Sequence, residues 1–233
     1  MKIPTDLEGL PDVLSGSVVL PGAEGWDGAR QAWNLAVDQH PAAVAYAESA
    51  DDVARAVAFA GEHGLGLAVQ GTGHGAGTVG GLEDALLLKT SRMAGIEIDV
   101  AARRARVEAG VVAADVALRA GEAGLAAPLG SSPDTGVTGF TLGGGVGWLG
   151  RRYGLASNSV IAIEVVTADG RLRRVDAEDD SELFFALRCG GGSFGAVTAI
   201  EIQLQPISQV YAGMVAWPVE MGSEIAHAYR EWL

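Results

Sequence analysis

Apolar and polar positions along the chain form blocks that predict short strands separated by helices. The apolar runs Ala42 to Tyr46 and Leu65 to Val69 have the length of buried strands. Between them, apolar residues recur every three to four positions over 53–60; Ser49 precedes this segment as a candidate N-cap, and Gly64 follows it. The first part of the chain is therefore expected to run strand, helix, strand.

Helical or strand periodicity also occurs near both ends of the chain. Trp26, Ala29 and Trp33 are spaced as on one face of a helix, which predicts a helix over 25–39 that ends before Pro41. The C-terminal elements expected in the same way are a strand over 209–217 and an amphipathic helix over 222–233.

After Gly95 the apolar period changes to two, which is typical of strands with one buried face. Ile96 and Ile98 alternate with acidic residues, and Asp169-Gly170 suits a tight turn between two later strands. The elements expected here are two hairpins, over 96–109 and 161–176, a strand over 196–204, and helices over 111–121 and 182–188, the last one capped by Ser181.

Glycine is concentrated in three patches, at 70–77, 126–158 and 189–195, which together contain many of the 34 glycines of the chain. Glycine lets the backbone adopt positive φ and lets a ligand approach the main chain, so that several N–H groups can converge on a phosphate. The first patch, Gln70 to Gly77, contains a single histidine, His74. This combination predicts a ligand-binding loop, and the length of the second patch also favours a functional role.

A Rossmann dinucleotide site is the alternative explanation of the first patch. Gly71, Gly73 and Ala76 match its glycine spacing directly after a strand. That fold, however, requires the glycine turn to open a helix. Here Gly80-Gly81 interrupts the segment, and Ala85 to Lys89 is expected to be another strand. The third patch has the same spacing but precedes its strand. A nicotinamide-binding site is therefore disfavoured.

Charge and cysteine content exclude several classes of protein. The formal net charge is −13, which disfavours nucleic-acid and anionic-membrane surfaces. The one cysteine, Cys189, permits no intrachain disulfide and gives no Cys/His spacing typical of a metal site, and we expect it to be a small buried side chain. Residues 1–14 lack the pattern of a signal peptide, and no apolar run approaches the ~18 residues of a membrane span. A cytoplasmic location is the expectation.

The order of several motifs resembles the flavoprotein family that includes vanillyl-alcohol oxidase, and within it the berberine-bridge-enzyme-like group. The resemblance covers nearly the whole chain. The motifs that support it are Ala29-Arg30 with Trp33-Asn34, Gly71-Thr-Gly-His74, Thr90-Ser-Arg-Met93, Gly130-Ser-Ser-Pro-Asp-Thr-Gly136, Leu142-Gly-Gly-Gly-Val-Gly147, Arg152-Tyr-Gly-Leu-Ala156, Thr167-Ala-Asp-Gly170 and Leu187-Arg188.

The resemblance implies an α+β fold, a PCMH-type FAD-binding domain of two α/β subdomains with the start of a substrate domain at the C-terminus. The implied limits are 1–41 for a lead segment and helix, 42–93 and 94–206 for the two subdomains, and 207–233 for the beginning of the substrate domain. The implied partner is a small-molecule substrate, bound through the missing remainder of that domain.

The resemblance also implies FAD as the cofactor, held on the first glycine patch and attached covalently to its 8α-methyl carbon through His74. Some relatives form a second link through a cysteine; Ser132 occupies that position, so one link is expected. A catalytic base would come from the substrate domain and is not assigned here. The implied cofactor-binding residues are Gly71, Thr72, Gly73, His74, Gly75, Ser132, Thr135, Gly136, Gly139, Gly143, Gly144, Gly147, Gly195 and Val197.

Two functional hypotheses follow from this resemblance. The first is the FAD-binding portion of an oxidoreductase that takes a hydride from a small alcohol, sugar or secondary metabolite to flavin N5. The second is a stand-alone or degenerate flavin-binding module without turnover. No acid or base role can be argued for Asp134, Asp169 or Glu201, and Trp148 and Tyr153 are equally compatible with flavin contact and with packing.

Overall fold

The computed structural model describes residue 7 and residues 9–233, and its fold is built on two β-sheets. In chain order the elements are α1 (Leu10–Val13), β1 (Val18–Val19), α2 (Trp26–Arg30), β2 (Ala43–Tyr46), α3 (Ala50–Glu62), β3 (Gly66–Gln70), β4 (Ala85–Lys89), β5 (Ile96–Asp99), β6 (Arg104–Glu108), α4 (Ala113–Glu122), α5 (Val137–Leu142), α6 (Gly150–Tyr153), β7 (Val160–Val166), β8 (Leu172–Asp176), α7 (Ser181–Gly190, kinked at 188–189), β9 (Ala196–Gln203) and α8 (Gly222–Trp232).

The first sheet has the strand order β1-β2-β4-β3, with β2 and β3 parallel to the central β4. β2 and β3 lie on opposite sides of β4 and run in the same direction, and α3 provides the crossover that joins them. This helix begins as expected, because the Ser49 hydroxyl accepts a hydrogen bond from the Asp52 N–H at 3.2 Å. Its apolar stripe, which includes the fully buried Val53 and Ala56, packs against one face of the sheet. Gly64, at φ +65°, follows the helix.

The second sheet is antiparallel with the order β5-β6-β9-β7-β8, and it contains both expected hairpins. The last strand of the five, β9, lies at the centre between β6 and β7. One face is covered by α4 and α7, and Val107, Ile163 and Ile200 are almost completely buried in the core formed there. The alternation of apolar and charged residues thus identified the buried face correctly.

The two sheets meet where residues 90–93 pass residues 109–110. The Gly110 N–H donates to the Met93 oxygen at 2.9 Å, and a Cβ on Gly110 would lie 2.0 Å from the Thr90 oxygen. The hydroxyl of Thr90 donates to the Ala109 oxygen at 3.2 Å. No side chain fits at Gly110, so the backbones of the two subdomains are in direct contact at this junction.

Several expected elements differ from the structure. The helix expected over 25–39 is only the five-residue α2. Its last residue, Arg30, donates to the Gln39 oxygen at 2.8 Å, and Lys89 of β4 donates to the Gln31 oxygen at 2.7 Å, so tertiary contacts replace helical hydrogen bonds. Asp180, not Ser181, is the N-cap of α7, at φ +51°. The strand expected over 209–217 is wrong, since that segment pairs with no strand in the described part of the chain.

The predicted domain limits remain predictions, and the lead segment begins in residues outside the described part. Within that part, every strand of the second sheet falls inside 94–206, while β1 adds the lead segment to the first sheet. The C-terminal helix is present as α8, with no buried residue. None of the helices in the described residues is long and apolar enough to cross a membrane.

Candidate functional site

A cleft of ≈ 540 Å³ opens at the junction of the two sheets, and all three glycine patches contribute to its walls. The end of β3 and the following loop form one side, the start of α5 forms another, and the third patch with the start of β9 completes it. The lining residues are Val69 to Ala76, Thr78, Val79, Thr90, Ala109, Thr135, Gly136, Thr138 to Phe140, Leu142, Gly191, Gly192, Gly195 and Val197.

The loop after β3 is shaped by one glycine in particular. Gly73 has φ +91°, and a Cβ there would lie 2.9 Å from the Ala32 Cβ, from the Gln70 Nε2 and from the Trp33 nitrogen. Both the backbone conformation and the space require glycine at this position. The loop is also fixed from outside, because the Trp33 N–H donates to the Thr72 oxygen at 3.0 Å.

His74 lies between an aromatic ring and a carboxylate. Its imidazole stacks on the Trp33 indole, with ring centroids 3.8 Å apart and an interplanar angle of 17°. Its Nε2 is 3.5 Å from Asp134 Oδ1, which is an ion-pair distance without a hydrogen bond. Asp134 Oδ2 in turn accepts a hydrogen bond from the Trp33 Nε1–H at 2.6 Å. Three separate segments of the chain therefore position this histidine.

Two buried polar atoms on the cleft, Gln70 Nε2 and Thr138 Oγ1, have no hydrogen-bond partner among the described residues, whereas the likewise unbonded His74 Nε2 has the Asp134 carboxylate 3.5 Å away. Buried polar groups are paired in the great majority of cases, so unpaired groups gathered on one cavity indicate a ligand that supplies the missing partners. The cleft is neutral, since no Asp, Glu, Lys or Arg is found among its described lining residues. A bound phosphate would therefore be held by backbone N–H groups and hydroxyls.

Ten of the fourteen predicted cofactor residues line this cleft, and four do not. Ser132 lines a neighbouring groove, to which Trp148 also contributes. Gly143 ends α5. The Cβ position of Gly144 is 3.8 Å from the Cys189 sulfur, and a Cβ on Gly147 would lie 2.2 Å from the Leu129 oxygen. These last two glycines thus have packing neighbours, and cofactor contact by any of the fourteen remains a prediction.

Sequence reasoning missed several residues of the site. The spacing of Trp33 predicts a helix face, and no local pattern predicts a role for Asp134, because the contact between the two residues spans 101 positions. Gln70, Thr138 and Phe140 also line the cleft. Cys189, expected to be buried, is exposed and has φ +77°. No group of three or more His, Cys, Asp or Glu residues that could hold a metal ion occurs in residues 7 and 9–233.

Comparison with known proteins identifies the family. The model of the FAD binding domain matches residues 41–176, more than half of the chain. The chain belongs to this family, and FAD is its cofactor. The resemblance to FAD-linked oxidases of the vanillyl-alcohol oxidase and PCMH type is thus confirmed, and so is the α+β fold.

Individual relatives support the same assignment. (R)-6-Hydroxynicotine oxidase of Paenarthrobacter nicotinovorans is 36% identical over 93% of this chain and 47% of its own length. The structure of berberine-bridge-enzyme-like protein 1 of Physcomitrella patens has a TM-score of 0.81 at 28% identity, covering 86% of this chain and 44% of that one. Glucooligosaccharide oxidase of Acremonium strictum, described with a 6-S-cysteinyl, 8α-N1-histidyl FAD, has a TM-score of 0.78 at 33% identity, covering 84% and 42%. The chain spans about half the length of the curated relatives it matches.

The residues of the cleft fit FAD. A neutral surface of glycine backbone suits the pyrophosphate, and the unpaired Gln70 amide and Thr138 hydroxyl are suitable partners for a polar cofactor. Apolar walls from Phe140, Leu142 and Val197 provide contact area for aromatic rings.

Proposed function

We propose that this chain is the FAD-binding portion of an oxidase or dehydrogenase that takes a hydride from a small alcohol, sugar or secondary metabolite, and that His74 holds the FAD covalently. The observation that best supports this proposal is the position of His74: among the described residues it is the one imidazole that lines the neutral, glycine-rich cleft, together with unpaired polar atoms. The FAD supplies the hydride acceptor, while the protein binds and orients it.

The chain contributes binding and orientation. Backbone N–H groups of 71–75 hold the pyrophosphate, which suits a loop without cationic side chains. The Gln70 amide donates to a polar group of the cofactor, and the Thr138 hydroxyl donates or accepts according to its partner. No carboxylate lines the cleft among the described residues, so the proposal assigns binding and orientation to this chain and assigns no base for the substrate hydroxyl proton.

The covalent link is tested by acid denaturation of the purified protein. We expect flavin absorbance to remain in the washed pellet and a peptide spanning Val69 to Lys89 to show the mass of an FAD adduct on His74. The variant His74→Ala is expected to release all flavin into the supernatant while still binding FAD before denaturation. A colourless wild-type pellet from protein that contains FAD in its native state would contradict covalent attachment but not FAD binding.

The neutral cleft also favours a second candidate, a flavin-binding module without turnover of its own. The two candidates differ in anaerobic flavin reduction. An oxidoreductase should lose its flavin absorbance on mixing with at least one member of a panel of primary alcohols, sugars and cyclic amines. If no member of the panel reduces the flavin and dithionite does, both in this chain and in the protein expressed from the complete reading frame, the chain is a flavin-binding module.

A further inference from the structure

We propose that Asp134 and Trp33 are positioning residues for flavin attachment: they orient the His74 ring so that Nε2 carries the proton and Nδ1 is the nucleophile. This inference rests on the covalent link proposed above and concerns how the chain prepares for it.

The ring plane of His74 is fixed before any cofactor binds. The Trp33 indole lies against the imidazole at 3.8 Å and is itself tied down at two points, through its backbone N–H to the Thr72 oxygen and through Nε1–H to Asp134 Oδ2. Rotation of the imidazole away from this plane would break the stacking contact. The side chain is 22% exposed and lines the cleft, so part of the ring remains accessible while the indole covers one face.

The two ring nitrogens have different surroundings. Nε2 is buried, has no hydrogen-bond partner, and lies 3.5 Å from Asp134 Oδ1. Nδ1 is not among the buried unpaired atoms. Hydrogen bonds that serve a reaction are often long before the ligand is bound and shorten afterwards, and Asp134 Oδ1 needs to move only about 0.5 Å to accept a normal bond.

A neutral imidazole has one N–H and one nitrogen with a free lone pair. A hydrogen-bond acceptor beside one nitrogen determines that this nitrogen carries the proton. A carboxylate can only accept, so Asp134 places the proton on Nε2 and leaves the lone pair on Nδ1. When Nδ1 forms a bond the ring becomes cationic, and Asp134 then stabilises that charge and receives the Nε2 proton. The Trp33 Nε1–H occupies the other carboxylate oxygen and keeps Oδ1 directed at the ring.

The bond that forms joins Nδ1 to the 8α carbon, and one C–H bond of the methyl group breaks. The methyl proton and the imidazole proton are released together with two electrons. These electrons reduce the isoalloxazine, and dioxygen, the external oxidant, removes them with two protons as hydrogen peroxide. The overall step needs no reductant and no group other than FAD, His74 and dioxygen.

The test measures attachment separately from binding. Flavin-free protein is mixed with FAD in air, and the covalent fraction is followed by acid precipitation, while flavin fluorescence gives the Kd before attachment. We expect Asp134→Asn to slow attachment at least about tenfold, the effect of about 1.4 kcal/mol in the barrier, with Kd changed less than about threefold. Asp134→Glu should restore part of the rate. Asp179→Asn, an exposed carboxylate with no ion pair in the described residues, is the matched control and should behave as wild type.

A second measurement needs no cofactor. In NMR spectra of protein with ¹⁵N-labelled histidine, the four histidines give separate ring signals, and the spectrum of His74→Ala identifies the signals of His74. In the neutral ring, wild type should show a protonated-type Nε2 and an unprotonated-type Nδ1, and Asp134→Asn should shift the tautomer population. Trp33→Phe keeps an aromatic face but removes the Nε1–H, so it should slow attachment less than Asp134→Asn.

The possible results separate the two proposals. Wild type that binds FAD without ever forming an adduct overturns the covalent link together with this inference. Wild type that forms the adduct while Asp134→Asn does so at the same rate overturns this inference alone, as does a protonated Nδ1 in wild type. If Asp134→Asn fails to fold, the glutamate variant and the tautomer of wild type decide the question.

Discussion

The side chain of Lys89 donates from Nζ to the backbone oxygen of Gln31 at 2.7 Å, although the residue is only 6% exposed. Burial lowers the pKa of the Lys89 amine from 10.5 to about 8. The contact joins the end of β4 to the segment that follows α2, two residues before Trp33. The buried amine therefore ties β4 to the segment that leads to Trp33, whose indole stacks on His74.

The stability of the protein should depend on pH through Lys89. The folded state binds the amine proton less tightly than the unfolded state. The cost of burying the charged amine is therefore fully present below about pH 8 and is relieved between about pH 8 and 10.5. The free energy of unfolding should therefore rise with pH across this window relative to Lys89→Met. Urea unfolding at several pH values checks this, with Gln70→Met, the uncharged strand neighbour of Lys89, as control. Equal slopes for wild type and Lys89→Met would contradict the low pKa.

Gly73 and Gly75 should differ sharply in their tolerance of alanine. Gly73 combines φ +91° with three atoms 2.9 Å from a Cβ, whereas Gly75 has φ −88° and only the Thr78 hydroxyl at 4.0 Å. We expect Gly73→Ala to destabilise the flavin-free protein by about 1–3 kcal/mol and Gly75→Ala by less than about 0.5 kcal/mol. Thermal unfolding without FAD measures both, and similar values would mean that the loop relaxes around the added methyl group.

The elements whose signal is local were predictable. Ser49 followed by an apolar stripe specified α3, and alternation specified β5 and β6, because these patterns reflect one buried face. The sequence also predicted that no α-helix directly follows Gly71 to Ala76, which disfavoured the Rossmann fold. In the structure, a 3₁₀ turn at Ala76–Thr78 follows before β4.

The parts that depend on distant contacts were not predictable from local patterns. Trp33 has helical spacing to Trp26, yet its position is determined by Thr72 and Asp134, far away in the sequence. The long second glycine patch was expected as a loop but contains α5 and α6. Glycine lowers helix propensity, so the helical turns there depend on tertiary packing, such as that of Leu142 in the core.

Arg106 on β6 and Glu164 on β7 form two parallel hydrogen bonds of 2.7 Å across the intervening β9. This partly buried bidentate pair, which raises the pKa of Arg106, should contribute more than an isolated surface contact. We expect Arg106→Lys to lower the free energy of unfolding by about 1 kcal/mol, with a smaller loss at high salt. Arg171→Lys, in an exposed pair at 3.8 Å, should have no measurable effect. Equal effects of the two variants in chemical unfolding would argue against a special role of the bidentate geometry.

Asp52 should be the most sensitive carboxylate of the first subdomain. It is fully buried, and its two oxygens accept the Ser15 N–H at 2.7 Å and the Glu48 N–H at 2.9 Å, which joins the lead segment to the start of α3. Asparagine keeps one acceptor oxygen, so one of these N–H groups would face an amide NH₂ instead.

We therefore expect Asp52→Asn to cost about 1–3 kcal/mol, which corresponds to a decrease in Tm of roughly 2–12 °C for a chain of this size. Asp51→Asn is the matched control, since the Asp51 carboxylate is exposed and pairs with Arg55 on the same helix. The effect of this variant should stay within about 0.5 kcal/mol. Calorimetry of both flavin-free variants measures the difference. If Asp52→Asn unfolds at the wild-type temperature, the two backbone N–H groups have found other partners, and the lead segment is held by its apolar contacts alone.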